Sequence, residues 1–445
     1  MKAESRDYAS YVRSKLAVHP PSGIADPTIG VRRLFPFQHD LVSWALRRGR
    51  AAVFADTGLG KTGMQIAWAD AVARHTSGDV LILAPLAVAA QTVAEGVACG
   101  VDVTICRDAA DVRPGLNVTN YDRLHRFDPA RFSGVVLDES SCIKHHDAKT
   151  LRTLLDAFAA CPFRFCATAT PAPNDWTELG THAEFLGVCT RTEMLSEFFC
   201  HDGGETQVWR LKGHARRAFW RWVSSWGAMV RRPSDLGHSD DGYARPAALM
   251  DRRNARRGSI DARVTMCADL VNADPTEPWI VWCDLNAESE ALTKAIRGAV
   301  EVRGSDDPDT KEERLRAFSE GRIRVLVTKP SIAGFGLNWQ HCARVAFVGV
   351  TDSWEAYYQA VRRCWRFGQS REVRVHIFAS EAEGSVVANL ARKERDAAAM
   401  AESLSAETRE AVMAEVSGAV RTVNGYEARK AMRLPQWIKS EAEAA

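Results

Sequence analysis

"VFADTGLGKTG", Val53 to Gly63, decides how the rest of the chain is read. An apolar run enters an acidic, glycine-rich turn, and the turn closes on Lys61-Thr62. The apolar run suits a buried strand, and the residues from Lys61 to Arg74 suit a helix. Gly58 and Gly60 tolerate backbone angles that turn N–H groups inward. The start of the helix adds the positive end of its dipole. The spacing is close to G-x-x-x-x-G-K-[ST], with Ala55 where the first glycine stands. In that arrangement Thr57, Gly58, Leu59 and Gly60 form a phosphate cradle. Lys61 reaches the β- and γ-phosphates, and Thr62 ligates Mg²⁺. A chance glycine-rich turn before an amphipathic helix is the alternative, and the strand–turn–helix context weighs against it. The expected ligand is a nucleoside triphosphate with Mg²⁺.

Further along, "GVVLDESSCIK" (Gly134–Lys144) is an apolar strand that ends in Asp138-Glu139. A parallel sheet presents such an end at its carboxyl edge, where ligands bind. Asp138 suits the Mg²⁺ water shell and Glu139 suits activation of an attacking water. As solvated loop acids the pair would be unremarkable in kind, but it follows a buried strand downstream of a phosphate loop.

Short apolar runs alternate with helical patterns in two blocks, which predicts two α/β units with parallel sheets. The first block has strands at Ala51–Ala55, Val80–Ala84, Val103–Ile105, Asn117–Thr119, Gly134–Leu137 and Arg164–Thr168. The second has them at Trp279–Cys283, Ile323–Thr328, Arg344–Val348 and Val373–Phe378. Between the blocks, Trp176–Gly187 and His214–Met229 read as helical, and the stretch from Arg231 breaks up into a hinge. Beyond about Ser380 the chain turns Ala/Glu/Arg-rich, and a helical extension is expected. Its end, with "RLPQWIK", reads as a brace on the second unit or as a partner site.

The 445 residues carry a net charge of +2, 46% hydrophobic and 26% charged residues, ordinary for a globular chain. The 11 cysteines include no Cys-x-x-Cys pair, which argues against zinc and for reduced thiols. No stretch approaches the length needed to span a membrane, so a soluble, cytoplasmic protein is expected.

"YYQAVRRCWRFGQ" (Tyr357–Gln369) is the most specific stretch of the second block. On a helix from Trp354 to Arg363, Gln359 and Arg363 share a face, with Arg366 a turn further on. Taken alone, Arg362, Arg363 and Arg366 read equally as a solvated basic face and as guanidinium groups offered to a γ-phosphate.

Together these motifs resemble the superfamily-two helicase motor, and most closely its Swi/Snf-type branch of DNA translocases. "FPFQHDLVSWAL" resembles the opening aromatic-glutamine motif, which implies Gln38 at the adenine. "LILAPLAVAAQ" and "VTNYDRL" resemble motifs Ia and Ib, "DESSCIK" the Asp-Glu-Ala-His/Gln box, and "CATATPAPND" motif III with Thr168 and Thr170. "RGSDDPDTKEERLRAF" and "VLVTKPSIAGFGLNWQ" resemble the Gly-Ser-Thr segment and motif V, and "QAVRRCWRFGQ" resembles motif VI. The resemblance implies arginine fingers at Arg363 and Arg366 and cofactor contacts from Gly336 and Asn338. Motif V also includes Gly334. Ser140-Ser141 depart from the usual Ala-His or Ala-Gln pair, Thr92 from a common tryptophan, and Arg362 from Gly or Asp.

The implied fold is two tandem RecA-like lobes with a helical insertion and a helical C-terminal extension. The expected division is an N-terminal segment at 1–30, lobe one at 31–175, the insertion and basic linker at 176–262, lobe two at 263–382 and the extension at 383–445. The implied activity is a DNA-stimulated ATPase that moves along double-stranded DNA, extending to remodelling of protein–DNA complexes or branched DNA. A strand-separating DNA or RNA helicase and a nucleotide-gated scaffold with little turnover are the competing expectations. Single-stranded DNA and RNA therefore stay open as partners beside duplex DNA. A compact chain without accessory modules further points to a bacterial or bacteriophage setting.

By the same resemblance, backbone contacts to nucleic acid come from Pro85, Thr119, Asn120, Ser305 and Thr328. "WRLKGHARRAFWRWVSSWGAMVRRP" (Trp209–Pro233) interleaves arginines, Arg216 and Arg217 among them, with tryptophans. At helical spacing Phe219, Trp222, Val223 and Trp226 read as core, leaving some arginines for phosphates. The arginines from Asp251 onward read equally as a solvated linker or as a second phosphate-contacting strip.

Overall fold

Near-continuous apolar strands are what a parallel sheet covered on both faces demands, and the chain builds two of them. The computed structural model describes residues 20–416 apart from 32, 86–87, 145–148, 203–204, 244–247, 256–259, 334–337, 350–352, 367 and 381–383.

The first lobe opens with α1 (Pro36–Arg48), started by a proline at its first turn, and continues through β1 (Arg50–Ala55), α2 (Lys61–Thr76), β2 (Asp79–Ala84) and α3 (Ala89–Cys99). It runs on through β3 (Val103–Ile105), β4 (Leu116–Asn120), β5 (Phe132–Asp138), α4 (Lys149–Ala157) and β6 (Phe163–Ala167). After α5 (Leu179–Leu186) and α6 (Arg191–Phe198), an antiparallel hairpin of β7 (Phe199–Asp202) and β8 (Glu205–Leu211) leads to α7 (Arg216–Val223) and β9 (Gly227–Val230). The resulting seven-stranded sheet has the order β3-β4-β2-β5-β6-β1-β9, with parallel pairing throughout.

The second lobe comprises β10 (Ala248–Ala255), α8 (Ile260–Asn272), β11 (Trp279–Cys283), α9 (Asn286–Ala295), β12 (Ala299–Glu301), α10 (Pro308–Ser319) and β13 (Val325–Thr328). It is completed by α11 (Pro330–Ala333), β14 (Arg344–Val348), α12 (Trp354–Val361) and β15 (Val373–Ser380). Its six strands, again parallel, run in the order β10-β15-β14-β11-β13-β12. A final helix, α13 (Gly384–Val416), follows.

Three differences from expectation have physical causes. The aromatic stretch expected to be helical through Met229 ends at Val223. Gly227, whose added Cβ would sit 3.0 Å from the Phe54 ring, lets the chain close against β1 as a strand. The arginine-rich stretch from Asp251, read as linker or phosphate strip, lies partly in β10, where Ala248–Ala255 pair with Val373–Ser380; Arg256 and Arg257 fall outside the described residues. Finally, α13 does more than brace the second lobe. Leu390 enters that lobe's core, but Met400, Leu404 and Val412 are buried in the cores on the two faces of the first sheet. Thr408 Oγ1 accepts from the Met229 amide at 2.9 Å, and Glu415 pairs with Arg48. "RLPQWIK" lies outside the described residues. No described helix is long and apolar enough to cross a membrane.

What matters for the site is order. Strands β5, β6 and β1 lie side by side, so the loops that follow Asp138, Ala167 and Ala55 meet at one carboxyl edge.

Candidate nucleotide site between the lobes

The glycine turn after β1 has the predicted backbone, with φ of 90° at Gly58 and 76° at Gly60. Gly60 is required twice over, because an added Cβ would also lie 2.3 Å from Gln38 Nε2. Gln38 holds the loop: its Nε2 donates to Leu59 O at 2.8 Å, and its Oε1 accepts from the Phe35 amide at 2.9 Å. Lys61 Nζ donates to Ala55 O at 3.1 Å, within the loop it helps to define. Burial lowers the Lys61 pKa, while the carboxylates of Glu139, Asp138 and Asp56 oppose that shift and Arg366 adds to it. Thr57 donates its amide to Asp56 Oδ1 at 2.7 Å, and its buried hydroxyl has no protein partner.

Across the edge, Asp138 is 5% exposed and accepts from Gln65 Nε2 at 2.6 Å. Burial, helped by the neighbouring Glu139 charge, raises its pKa to about 6, against the hydrogen bond from Gln65. Glu139 is one of two described non-glycine residues with positive φ, at 52° with ψ of 54°. A left-handed residue of this kind costs on the order of 1–3 kcal/mol and is held only where surrounding structure imposes it. Thr168 Oγ1 donates to Glu139 Oε2 at 3.4 Å, and the Thr170 amide donates to Thr168 Oγ1 at 3.1 Å. Ser140, in the departing pair, bonds instead to the buried His182 Nε2 at 3.1 Å.

These residues fit Mg²⁺. Among the described residues no cluster of three or more His, Cys, Asp or Glu could hold a metal by itself. Magnesium bound with phosphates needs no such cage, because one or two carboxylates suffice and water completes its shell. Gln65 Oε1, buried and without a protein partner beside Asp138, is an oxygen suited to such a water.

The second lobe closes the site. Helix α12 ends at Val361, so Arg363 lies just beyond it rather than on its face as expected. Arg363 is 4% exposed; burial lowers its pKa to about 10, the Glu139 carboxylate opposes this and the Arg366 charge assists it. Arg366 is lowered by burial as well, and its charge acts on Lys61. Lys61, Asp138, Glu139, Arg363 and Arg366 thus lie within reach of one another's charge. Direct contacts join the lobes around them, among them a hydrogen bond from the Tyr358 hydroxyl to Asp56. Arg362 Nη2 donates to Asp56 Oδ2 at 3.1 Å, Lys144 pairs with Glu355, and Thr170 Oγ1 donates to Glu355 Oε1 at 3.5 Å. Asp56, Gln65 and Glu355 escaped the sequence reading. Gln65, one helical turn past Lys61, carried a usable signal.

The expected nucleic-acid contacts fare unevenly. Thr119 is 2% exposed and Thr328 is fully buried, its hydroxyl donating to Val302 O at 2.9 Å. Both sit in strands one in from a sheet edge, with their side chains buried, so these hydroxyls do not present themselves to a phosphate. Pro85 and Asn120 do line an open cavity of about 320 Å³ with Glu139, Lys144 and Glu355. Ser305, Arg216 and Arg217 are exposed. Asn338 is exposed and donates to Gln340 Oε1 at 3.3 Å; Gly334 and Gly336 lie outside the described residues. Of the four residues read as core, Phe219, Val223 and Trp226 are buried and Trp222 is half-buried against the same cluster.

Residues 262–368 match the helicase conserved C-terminal domain family. No curated protein matches the sequence. Among solved structures, S. cerevisiae Dbp5 bound to RNA and ADP BeF3 is similar with a TM-score of 0.55 at 12% identity, covering 84% of this chain and 94% of that one. The likeness shows the fold: two tandem RecA-like lobes on parallel sheets, the second matching the helicase C-terminal type.

Proposed function

We propose that this chain is a nucleic-acid-stimulated ATPase of the superfamily-two helicase type, using ATP hydrolysis to move along double-stranded DNA. The observation that carries the proposal is a site shared between lobes, with Lys61, Asp138 and Glu139 on one side and Arg363 and Arg366 on the other. ATP enters as substrate with its phosphates over the glycine turn. Lys61 exchanges Ala55 O for a phosphate oxygen, and Thr57 offers its unpartnered hydroxyl. Glu139, oriented by Thr168, accepts a proton from the attacking water. Arg363 and Arg366 stabilise the charge that develops on the transferred phosphoryl group. Mg²⁺, held by Thr62 and Asp138, would neutralise charge on the phosphate oxygens.

Because the arginines come from the other lobe, ATP favours the closed cleft and product release relaxes it. Alternating closure is what turns hydrolysis into motion. Contacts to the backbone carry no base identity, so movement is expected to be independent of sequence. The Swi/Snf-like motif set supports the duplex DNA track. The solved structure with the same fold was bound to RNA, which favours a second reading as an RNA helicase. ATPase assays with duplex DNA, single-stranded DNA, forked DNA and RNA test both. Stimulation by duplex DNA, with triplex displacement and no unwinding, supports translocation. Stimulation by RNA with strand separation selects the second reading, and equal turnover with and without any nucleic acid refutes both.

A further inference from the structure

Arg362 occupies a place where the resembled pattern commonly has a small or acidic residue, and it behaves unlike its two neighbours. It caps the end of α12 and is 6% exposed. Its guanidinium lies 4.7 Å from the Tyr358 ring centre and 4.2 Å from that of Trp365. From there it reaches across the cleft to Asp56 Oδ2 at 3.1 Å. Asp56 follows β1 directly and leads into the phosphate turn. Its other oxygen accepts from the Thr57 amide at 2.7 Å and from the Tyr358 hydroxyl. One carboxylate of the phosphate loop is therefore gripped by Tyr358 of α12 and by Arg362, which caps it.

We infer that Arg362 is a positioning residue: by anchoring the end of α12 to Asp56, it aims Arg363 and Arg366 at the phosphates. The inference rests on the roles given above to those two arginines. Three considerations lead to it. Arg363 is the next residue in the chain, just past the end of the helix, so the setting of Arg362 passes directly to it. A guanidinium fixed between two rings and a carboxylate leaves the backbone there little freedom to rotate. A buried ion pair is also a poor source of net stability, since desolvation offsets its attraction, whereas fixing one geometry is its best-attested use. Lys144 and Thr170 hold Glu355 in the first turn of the same helix. The helix is thus tied to the first lobe at both ends, and the tie nearest the catalytic arginines is Arg362.

The test compares Arg362→Gln, Arg362→Lys, Asp56→Asn and the double variant Arg362→Gln/Arg363→Ala in the full chain. Misplacing a catalytic group by about 1 Å can cost a hundredfold in rate, so kcat of Arg362→Gln should fall about a hundredfold with the affinity for a fluorescent ATP analogue nearly unchanged. Arg362→Lys should recover part of the loss. Asp56→Asn cuts the same contact from the other lobe and should lose kcat similarly. The double variant should be slower than Arg363→Ala alone, because Arg366 still loses its aim, but by less than the product of the two single losses. Wild-type kcat in Arg362→Gln, losses that multiply in the double variant, or a defect confined to nucleotide affinity would each overturn the assignment. A readout independent of turnover separates this inference from the proposed function. Small-angle scattering with a non-hydrolysable ATP analogue bound, the state in which the cleft is closed, should show a larger radius for Arg362→Gln than for the wild type. An unchanged radius defeats the anchor even if the ATPase reading stands. Absence of turnover in the wild type defeats that reading, and the radius still decides whether Arg362 joins the lobes.

Discussion

The candidate nucleotide cleft and α7 are both dense in arginine, and they use that charge in opposite ways. In the cleft, Arg362 and Arg363 are almost entirely buried, and each feels a carboxylate of the other lobe. On α7, Arg216 and Arg217 stand in solvent. One lies 5.7 Å from the Trp176 ring centre, and the other is 4.0 Å from Glu407 with 89% of its side chain exposed. Water screens the second pair of charges and hardly touches the first. Buried cations can therefore act on one phosphoryl group with strict geometry. Exposed ones can contribute only diffuse attraction to a polyanion.

That contrast can be broken at several points. The largest effect belongs to the centre of the cleft: Lys61→Ala or Glu139→Gln should reduce ATP turnover by about a thousandfold or more in a steady-state phosphate-release assay. Arg363→Ala should cost about a hundredfold to a thousandfold in kcat while nucleotide binding survives, since an arginine finger acts on the transition state. If binding is lost instead, Arg363 serves the ground state and the contrast weakens. Away from both regions, Trp226→Ala should lower unfolding free energy by about 3–5 kcal/mol in urea titrations, because it empties a fully buried site under α7. Smallest of all, Arg216→Ala or Arg217→Ala should weaken nucleic-acid binding only a few-fold, each reducing the salt slope by about one. Turnover at saturating nucleic acid should stay as in the wild type. A hundredfold loss there would mean that α7 recognises a fixed geometry after all.

Much of the candidate site was legible because its sequence signals are local. The turn from Ala55 to Thr62, the acids after β5 and the arginine run after α12 each carry their meaning in a few neighbouring residues, and buried parallel strands announce themselves as unbroken apolar runs. Other parts depended on tertiary choices. β9 is only Gly227–Val230, too short to separate from the aromatic helix before it. β10 carries Arg252 and Arg253, whose charge reads as linker although the backbone pairs along its length with β15. The burial of Thr119 and Thr328 was hidden for the same reason: a hydroxyl near a strand end gives no sign of which way it faces. Nothing local couples Asp56 to Arg362, which are 306 positions apart in the chain.

Helix α13 carries a practical lesson about where this molecule can be cut. It leaves the second lobe and supplies Met400, Leu404 and Val412 to the interior of the first. Its 33 residues span about 50 Å as one rod. A truncation placed after β15, where the recognisable motifs stop, would strip side chains from the opposite half of the protein. Shortened expression clones of that design should aggregate or melt early, and supplying the missing rod as a separate peptide should restore them.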